Sequence, residues 1–449
     1  MATATRTVED VLRERGFAPF HRRVVLLTGF AWTFVAFEII NISFVLANVF
    51  TTFGIASGSL LYFLITSGTL IGSFLGSLFL GRLSDTRGRR TIFLGSILWY
   101  SAFTALTALS WDPWSMFTFR VLAGIGLGGM LVVDPSILSE FLPPQSRGRF
   151  MVLLDFFWPI GFLLAILFWW VFIVQGVTVG GIESWRILFV VAAFPAFIAF
   201  LARLTIPESP FYYARHGKLP EAAAVLERIT GKPVDPASLS REEAVPRAPI
   251  GALFRGRLAR RSVVTLVVWT ALNFSYYGLF LDLPFALGTF KNEVATDVGL
   301  TALFFITSAL AQFPGYLASM ILVERWGRKR TLALFLLLGG VSGFAFATAS
   351  GVPLLFGSLA LVSFFNLGAW GAVYAYTPEL FPTQYRATGF GMGETVGKLT
   401  SIFGPILFGA MYASTGDVVA PLAAIAGVMA AGGLFLAAVG PETKGQTFT

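Results

Sequence analysis

A few charged residues stand inside otherwise apolar runs of this sequence, and they are where its chemistry lies. Glu38 lies in AWTFVAFEIIN, and Arg120 opens the glycine-rich run RVLAGIGLGG. Asp134 and Asp155 follow in LVVDPS and LLDFFWPIG, Asp282 stands in LFLDLP, and Glu394 and Lys398 lie four residues apart in GETVGKLTS. A charge surrounded by hydrocarbon costs roughly 2.5–3.5 kcal/mol on insertion scales, so each is a functional candidate by default. A desolvated carboxyl can take up and release a proton, because burial disfavours its charged form and a nearby cation restores it. A desolvated ammonium offers charge-assisted hydrogen bonds to a carboxylate. Competing roles exist for several of these residues. Glu394 and Lys398 share a helical face and can pair with each other, Asp134 can cap or pair near a helix end, and Asp282 falls near a span end, where hydration is cheap.

Other chemistries find no residues. Cysteine is absent, which excludes disulfides, thiolate nucleophiles and cysteine metal sites. The two histidines, His21 and His216, both fall in polar segments, so no histidine relay or metal cluster is expected inside the apolar runs. No Walker loop, zinc motif or triad spacing is present, so neither an enzyme, nor a cofactor, nor ATP-driven pumping is expected.

The elements that position these charges follow from composition. With 56% hydrophobic residues, 12% charged residues and a mean hydropathy of +0.76, the chain has too little polar surface to fold as a soluble globule. A bilayer core about 30 Å thick takes roughly 20 apolar residues per helix. Runs of that length predict twelve transmembrane helices, near 24–50, 58–80, 91–110, 114–138, 150–176, 185–206, 262–288, 297–323, 331–350, 353–377, 387–414 and 418–440. The expected class is an all-α membrane protein. Most of the 32 Lys and Arg fall in alternate loops, which predicts cytoplasmic N- and C-termini by the positive-inside rule. The +8 net charge follows those loops and does not imply nucleic acid. No small-residue cleavage site follows the N-terminal segment, so no signal peptide is expected. A multi-pass protein of the cell (inner) membrane, monomeric and embedded in the lipid bilayer, is the expectation.

Self-similarity at a fixed offset organises the spans. Asp85, Gly88 and Arg89 of GRLSDTRGRR recur 239 residues later as Glu324, Gly327 and Arg328. Glu140, Pro143, Gln145 and Arg147 of SEFLPPQSRGR recur at the same offset as Glu379, Pro382, Gln384 and Arg386. PESP at 207–210 is matched by PETKG at 441–445. The chain therefore divides into an N-terminal six-helix half at 1–206, a polar linker at 207–260 with an amphipathic stretch at 219–229, and a C-terminal six-helix half at 261–449. Repeats of this kind place a solute site between the halves near mid-membrane and give alternating access by rocking. Glycines 124, 126, 128 and 129 allow close backbone contact between helices.

Together the duplicated loops, the helix 4 run of Arg120 and glycines, PESP and PETKG resemble the major facilitator superfamily and its sugar-porter-like branch. FSYYGLFLDLP at 274–284, FPGYLASMILVERWGRKR at 313–330 and NLGAWGAVYAYTPELFPTQYRATG at 366–389 look more like the niacin-transporter and synaptic-vesicle-protein-like subgroup, which includes relatives of organic-ion carriers. The resemblance covers essentially the whole chain.

It implies a secondary active transporter with a small organic solute and protons as partners. In proton-coupled relatives a helix 1 acid at the place of Glu38 interacts with the helix 4 arginine, here Arg120; protonation would release the arginine, and a purely structural ion pair is the other reading. Asp155, among Phe156, Phe157 and Trp158, or Asp134 is the alternative proton site. In organic-ion carriers the position twelve beyond the loop arginine is basic for anions, and counting from Arg386 gives Lys398. The expected solute is accordingly an aromatic or other small organic anion, moved by symport. Trp32, Phe37, Trp158, Tyr276, Tyr277, Trp370 and Tyr374 are available to stack a ring, with Asn273, Asn366 and Glu394 as polar neighbours; packing is the competing role of the aromatics. Gly81, Asp85, Arg89, Glu140, Arg147 and Glu208, with Glu324, Arg328, Glu379, Arg386 and Glu442, form an expected cytoplasmic gate of paired charges. A sugar, polyol or organic-cation transporter, a receptor-like relative without transport, and a channel remain as alternatives.

Overall fold

The computed structural model describes residues 6–56, 59–195, 197, 201–202, 205–242, 249–289 and 293–445. Long helices dominate. Numbering those of the expected spans in chain order, α1 is Pro19–Phe53, α2 Leu60–Arg87, α3 Arg89–Thr107 and α4 Pro113–Phe141. The fifth element, α5, runs Pro144–Val174 with an interruption, and α6 begins at Ser184–Ala192. In the second half α7 is Gly256–Phe280, α8 Val298–Arg325, α9 Arg328–Ala347, α10 Val352–Glu379, α11 Thr383–Thr415 and α12 Val419–Val439. Ten helices among the described residues are long and apolar enough to cross a membrane. The third expected span is the 19-residue α3, and the sixth, 185–206, lies partly outside the described residues.

Local sequence explains the boundaries. Pro19 and Pro113 occupy the first helical turn, where their missing N–H costs nothing. The Asp112 carboxylate accepts from the Ser115 amide at 2.6 Å, capping α4. Gly54 closes α1 in the left-handed conformation that glycine adopts without a Cβ clash.

The duplication is visible in packing. α2 lies on α4, α1 on α5 and α3 on α4 in the first half; α8 lies on α10, α7 on α11 and α9 on α10 in the second. Close approach of α2 and α4 rests on glycine: a Cβ at Gly124 would stand 2.9 Å from the Gly72 Cα, and one at Gly72 2.8 Å from the Gly124 Cα. Between halves, α2 packs on α11 and α5 on α8. At the end remote from the termini this seam is shut by rings, with Phe44 against Phe305 at 4.8 Å, Phe63 against Phe408 at 5.7 Å and Trp169 against Phe305 at 5.8 Å.

Outside the bundle, helix Val8–Arg15 buries Val8, Val11 and Leu12 and packs against the linker helix Leu219–Thr230, the expected amphipathic stretch. Hydrogen bonds from the hydroxyl and amide of Thr7, which caps that helix, hold Asp10 below the usual carboxylate range. His21 is buried in the first turn of α1, its Nε2 bonded to the Phe141 carbonyl oxygen at 3.1 Å.

Candidate functional site

Pro159 decides where α5 breaks. Its ring has no N–H and collides with the carbonyl four residues back, which belongs to Asp155. The helix duly ends at Asp155 and restarts at Phe157. That break lies on the seam between the halves, beside a narrow cavity. Asp155 and Trp158, one turn apart on α5, form one wall with Trp32 of α1. Tyr276 and Tyr277 of α7, Leu367, Trp370 and Tyr374 of α10, and Lys398 of α11 complete it from the other half. The 3-and-4 spacing of the α10 residues keeps all three on one face.

The wall is aromatic with few polar groups. Trp158 Nε1 donates to the Tyr276 hydroxyl across the seam, and the rings continue edge-to-face through Trp370, 6.1 Å from Tyr276. Trp32 Nε1 and Trp370 Nε1 are buried donors without a partner among the described residues. Lys398 is 6% exposed, and its Nζ stands 5.6 Å from the Tyr277 ring centroid. No ion pair within 4.0 Å joins Lys398 to Glu394 or to Asp155 among the described residues. The i,i+4 pairing open to Glu394 is thus not adopted.

Expected solute contacts divide accordingly. Trp32, Trp158, Tyr276, Tyr277, Trp370, Tyr374 and Lys398 converge on the cavity, while Phe37, Asn273, Asn366 and Glu394 lie outside its wall. Phe37 packs on Phe34 and Phe168. Asn273 donates to the Trp269 carbonyl at 3.0 Å, against Gly397 of α11, and Asn366 donates to Ser275 Oγ at 3.2 Å. Each amide nitrogen is thus engaged, while both Oδ1 atoms are buried without a partner among the described residues. Tyr316 of α8 lines the cavity and was not singled out by sequence, because a lone tyrosine in FPGYLA carries no charge signal.

Glu38 and Arg120 meet elsewhere, inside the first half, both fully buried. Arg120 Nη1 bonds Glu38 Oε1, Nη2 bonds the Glu38 carbonyl oxygen at 3.0 Å, and Nε bonds Thr69 Oγ1 at 3.0 Å. Thr104 donates to Glu38 Oε1 at 2.8 Å, and the guanidinium lies over Phe189 at 5.5 Å. The pair thereby gathers α1, α2, α3, α4 and α6, and it takes no part in the cavity wall. Asp134 is fully buried with neither carboxylate oxygen bonded among the described residues, so capping or pairing near a helix end is corrected. Asp282 is likewise fully buried and unbonded, not hydrated at a span end.

The loop charges recur in both halves. Arg89 pairs with Asp85 at 2.6 Å and Glu140 at 3.2 Å, and Glu208 accepts from the Arg90 amide at 3.1 Å. Arg328 pairs with Glu324 at 3.0 Å and Glu379 at 3.1 Å, and Glu442 accepts from the Arg328 amide at 2.9 Å. Gly88 and Gly327 each hold a positive φ, +99° and +107°, facing Glu208 and Glu442, where a Cβ would collide with the carboxylate. Burial raises the Glu442 pKa, but backbone amides of Lys444, Thr443, Lys329 and Arg328 outweigh it and hold the carboxyl below its ordinary value. These bonds all run within one half. Gly81 packs on Val132 of α4; Arg147 Nε is buried without a partner, and Arg386 Nε donates to the Pro378 carbonyl at 3.1 Å.

Residues 24–449 match the family model described as Sugar (and other) transporter. The chain belongs to that family. The transporter is a multi-pass membrane protein of the major facilitator superfamily. It is 34% identical over 432 residues to the niacin transporter NiaP of Acinetobacter baylyi, covering 95% of each chain. It is 28% identical to the synaptic vesicle 2-related protein of Xenopus laevis, over 92% of this chain and 77% of that one. Among solved structures, the partially occluded inward-open xylose transporter XylE of E. coli superposes with a TM-score of 0.76 over 96% of this chain and 100% of that one, at 20% identity.

Proposed function

We propose that this protein carries a small aromatic monocarboxylate together with protons, by symport and alternating access, in the cell membrane with both termini in the cytoplasm. The observation that carries this reading is Lys398, the one cation in the cavity wall among the described residues, nearly buried and without an ion pair. A buried ammonium without a direct ion pair is costly; a ligand carboxylate offsets that cost through charge-assisted bonds. The unpartnered indole N–H groups of Trp32 and Trp370 supply further donors, and the surrounding rings supply stacking faces. The niacin transporter relative supports the same class, since niacin is a pyridine carboxylate.

A sugar is favoured less. No amide side chain stands in the cavity wall to read hydroxyls among the described residues. Glu38 with Arg120, Asp155 and Asp134 supply the candidate proton groups. The duplicated loop networks hold each half as a body, so that rocking is concentrated at the seam, and the remote end that the rings shut is the outer one.

Thermal unfolding of the purified protein tests the substrate class, because a ligand that binds the folded state at a hundred times its Kd adds about 2.7 kcal/mol. Nicotinate and benzoate are expected to raise Tm, and Lys398→Gln to abolish the rise. Stabilisation by xylose or tetraethylammonium alone contradicts the reading.

A further inference from the structure

Asp155 and Lys398 share one narrow cavity without touching. From the elements around it, Asp155 is faced by Tyr276 and Tyr277 of α7, Tyr316 of α8, Tyr374 of α10 and Lys398 of α11; α1 and α4 present only the uncharged Trp32 and Leu131. Glu394 lies electrostatically close to Tyr374 and Lys398, outside the wall. Asp155 is therefore the carboxyl that a bound anion meets inside the cavity. Two negative charges in a confined apolar site exclude each other, and the conflict is relieved when one takes up a proton.

We propose that Asp155 is the group that takes up the transported proton, so that the cavity accepts one monocarboxylate on Lys398 as Asp155 binds one proton. This rests on the proposed aromatic monocarboxylate substrate and selects among its candidate acids. The charges balance: the empty cavity holds the Lys398 ammonium and the Asp155 carboxylate, and the loaded one holds the ammonium, the ligand carboxylate and a neutral Asp155. Loading moves no net charge. Glu38 is placed differently, sealed with Arg120 and the Thr104 hydroxyl away from the wall, where an arriving anion makes no contact with it. Asp155 and Glu394 stand 239 residues apart, the repeat offset, so the duplication supplied a carboxyl to both halves, and only the first half's copy reaches the wall.

Calorimetric titration of the full-length protein with nicotinate, and with benzoate, which lacks a ring nitrogen, tests this from about pH 6 to about 9.5. Where Asp155 is ionised in the empty protein, affinity falls about tenfold per pH unit, and buffers of differing ionisation enthalpy read one proton taken up per ligand bound. The proton count is measured on the unmodified protein and needs no variant. Asp155→Asn is expected to flatten the pH profile and abolish proton uptake, with its residual binding still sensitive to Lys398→Gln. The same slope in Asp155→Asn, or flattening in Glu38→Gln or Glu394→Gln instead, overturns the assignment, as does nicotinate binding to the unmodified protein without proton uptake at any pH in the range. Absence of binding by both ligands overturns the proposed substrate class, and this inference with it.

Discussion

Arg120 is fully buried inside the first half with three hydrogen bonds, and its stability role can be separated from transport. Removing one member of a buried pair leaves the other uncompensated, a loss of about 3–5 kcal/mol, whereas replacing both by apolar side chains is close to neutral. Arg120→Leu alone is expected to lower Tm sharply, and Glu38→Leu with Arg120→Leu to recover most of it; thermal unfolding in detergent measures both. Trp370 predicts a split of opposite sign. Its indole N–H is a buried donor without a partner, which costs about 1–3 kcal/mol in the empty protein. Trp370→Phe is expected to raise the Tm of the ligand-free protein while weakening nicotinate binding by about tenfold, seen by comparing melts with and without ligand. At this scale the sequence was informative about charge and silent about direction. Lys398 and Asp155 stood out because ionisable groups in apolar runs are rare. Asn273 and Asn366 stood out equally, yet they lie outside the cavity wall, and a residue type does not reveal which face it occupies. Asp134 and Asp282 were misplaced for the same reason, since distance along a span does not report burial.

Among the elements, the interrupted α5 does most to shape the cavity. Pro159 opens the helix at Asp155, so Pro159→Ala is expected to restore a continuous helix, rotate Asp155 away from the wall and abolish nicotinate-induced stabilisation. Retained stabilisation would show that the break does not position the site. The apolar runs located the long helices well because helix length in a bilayer is fixed by thickness. They did not reveal the break in α5, although Pro159 was in plain view. Nor did they reveal Tyr316, two residues after Pro314 of α8, whose facing depends on how that helix is rotated. The glycine run of α4 was legible, because residues without a Cβ at close helical spacing serve helix approach in few other ways.

For the whole molecule, the 239-residue offset carried the architecture: the same helix pairs pack in both halves, and the same arginine–carboxylate networks close both sets of loops. What the offset could not tell is where the halves touch, because the seam joins residues that are not repeat equivalents. The remote end is closed partly by Phe63 of α2 against α11, where a Cβ at Gly409 would collide with the Phe63 ring. The chain contains no cysteine, so Phe63→Cys with Gly409→Cys adds an isolated pair in reach of a disulfide. Oxidation is expected to block transport and reduction to restore it; unimpeded transport with the bond formed would mean that this end does not open. The central claim, an inter-half cavity that reads a carboxylate through Lys398, is tested most directly by counterflow of labelled nicotinate in liposomes containing the protein or its Lys398→Gln variant. The account predicts saturable exchange by the unmodified protein and a loss of at least about tenfold in the variant, from the removal of a charge-assisted bond. Equal exchange by the two would contradict it.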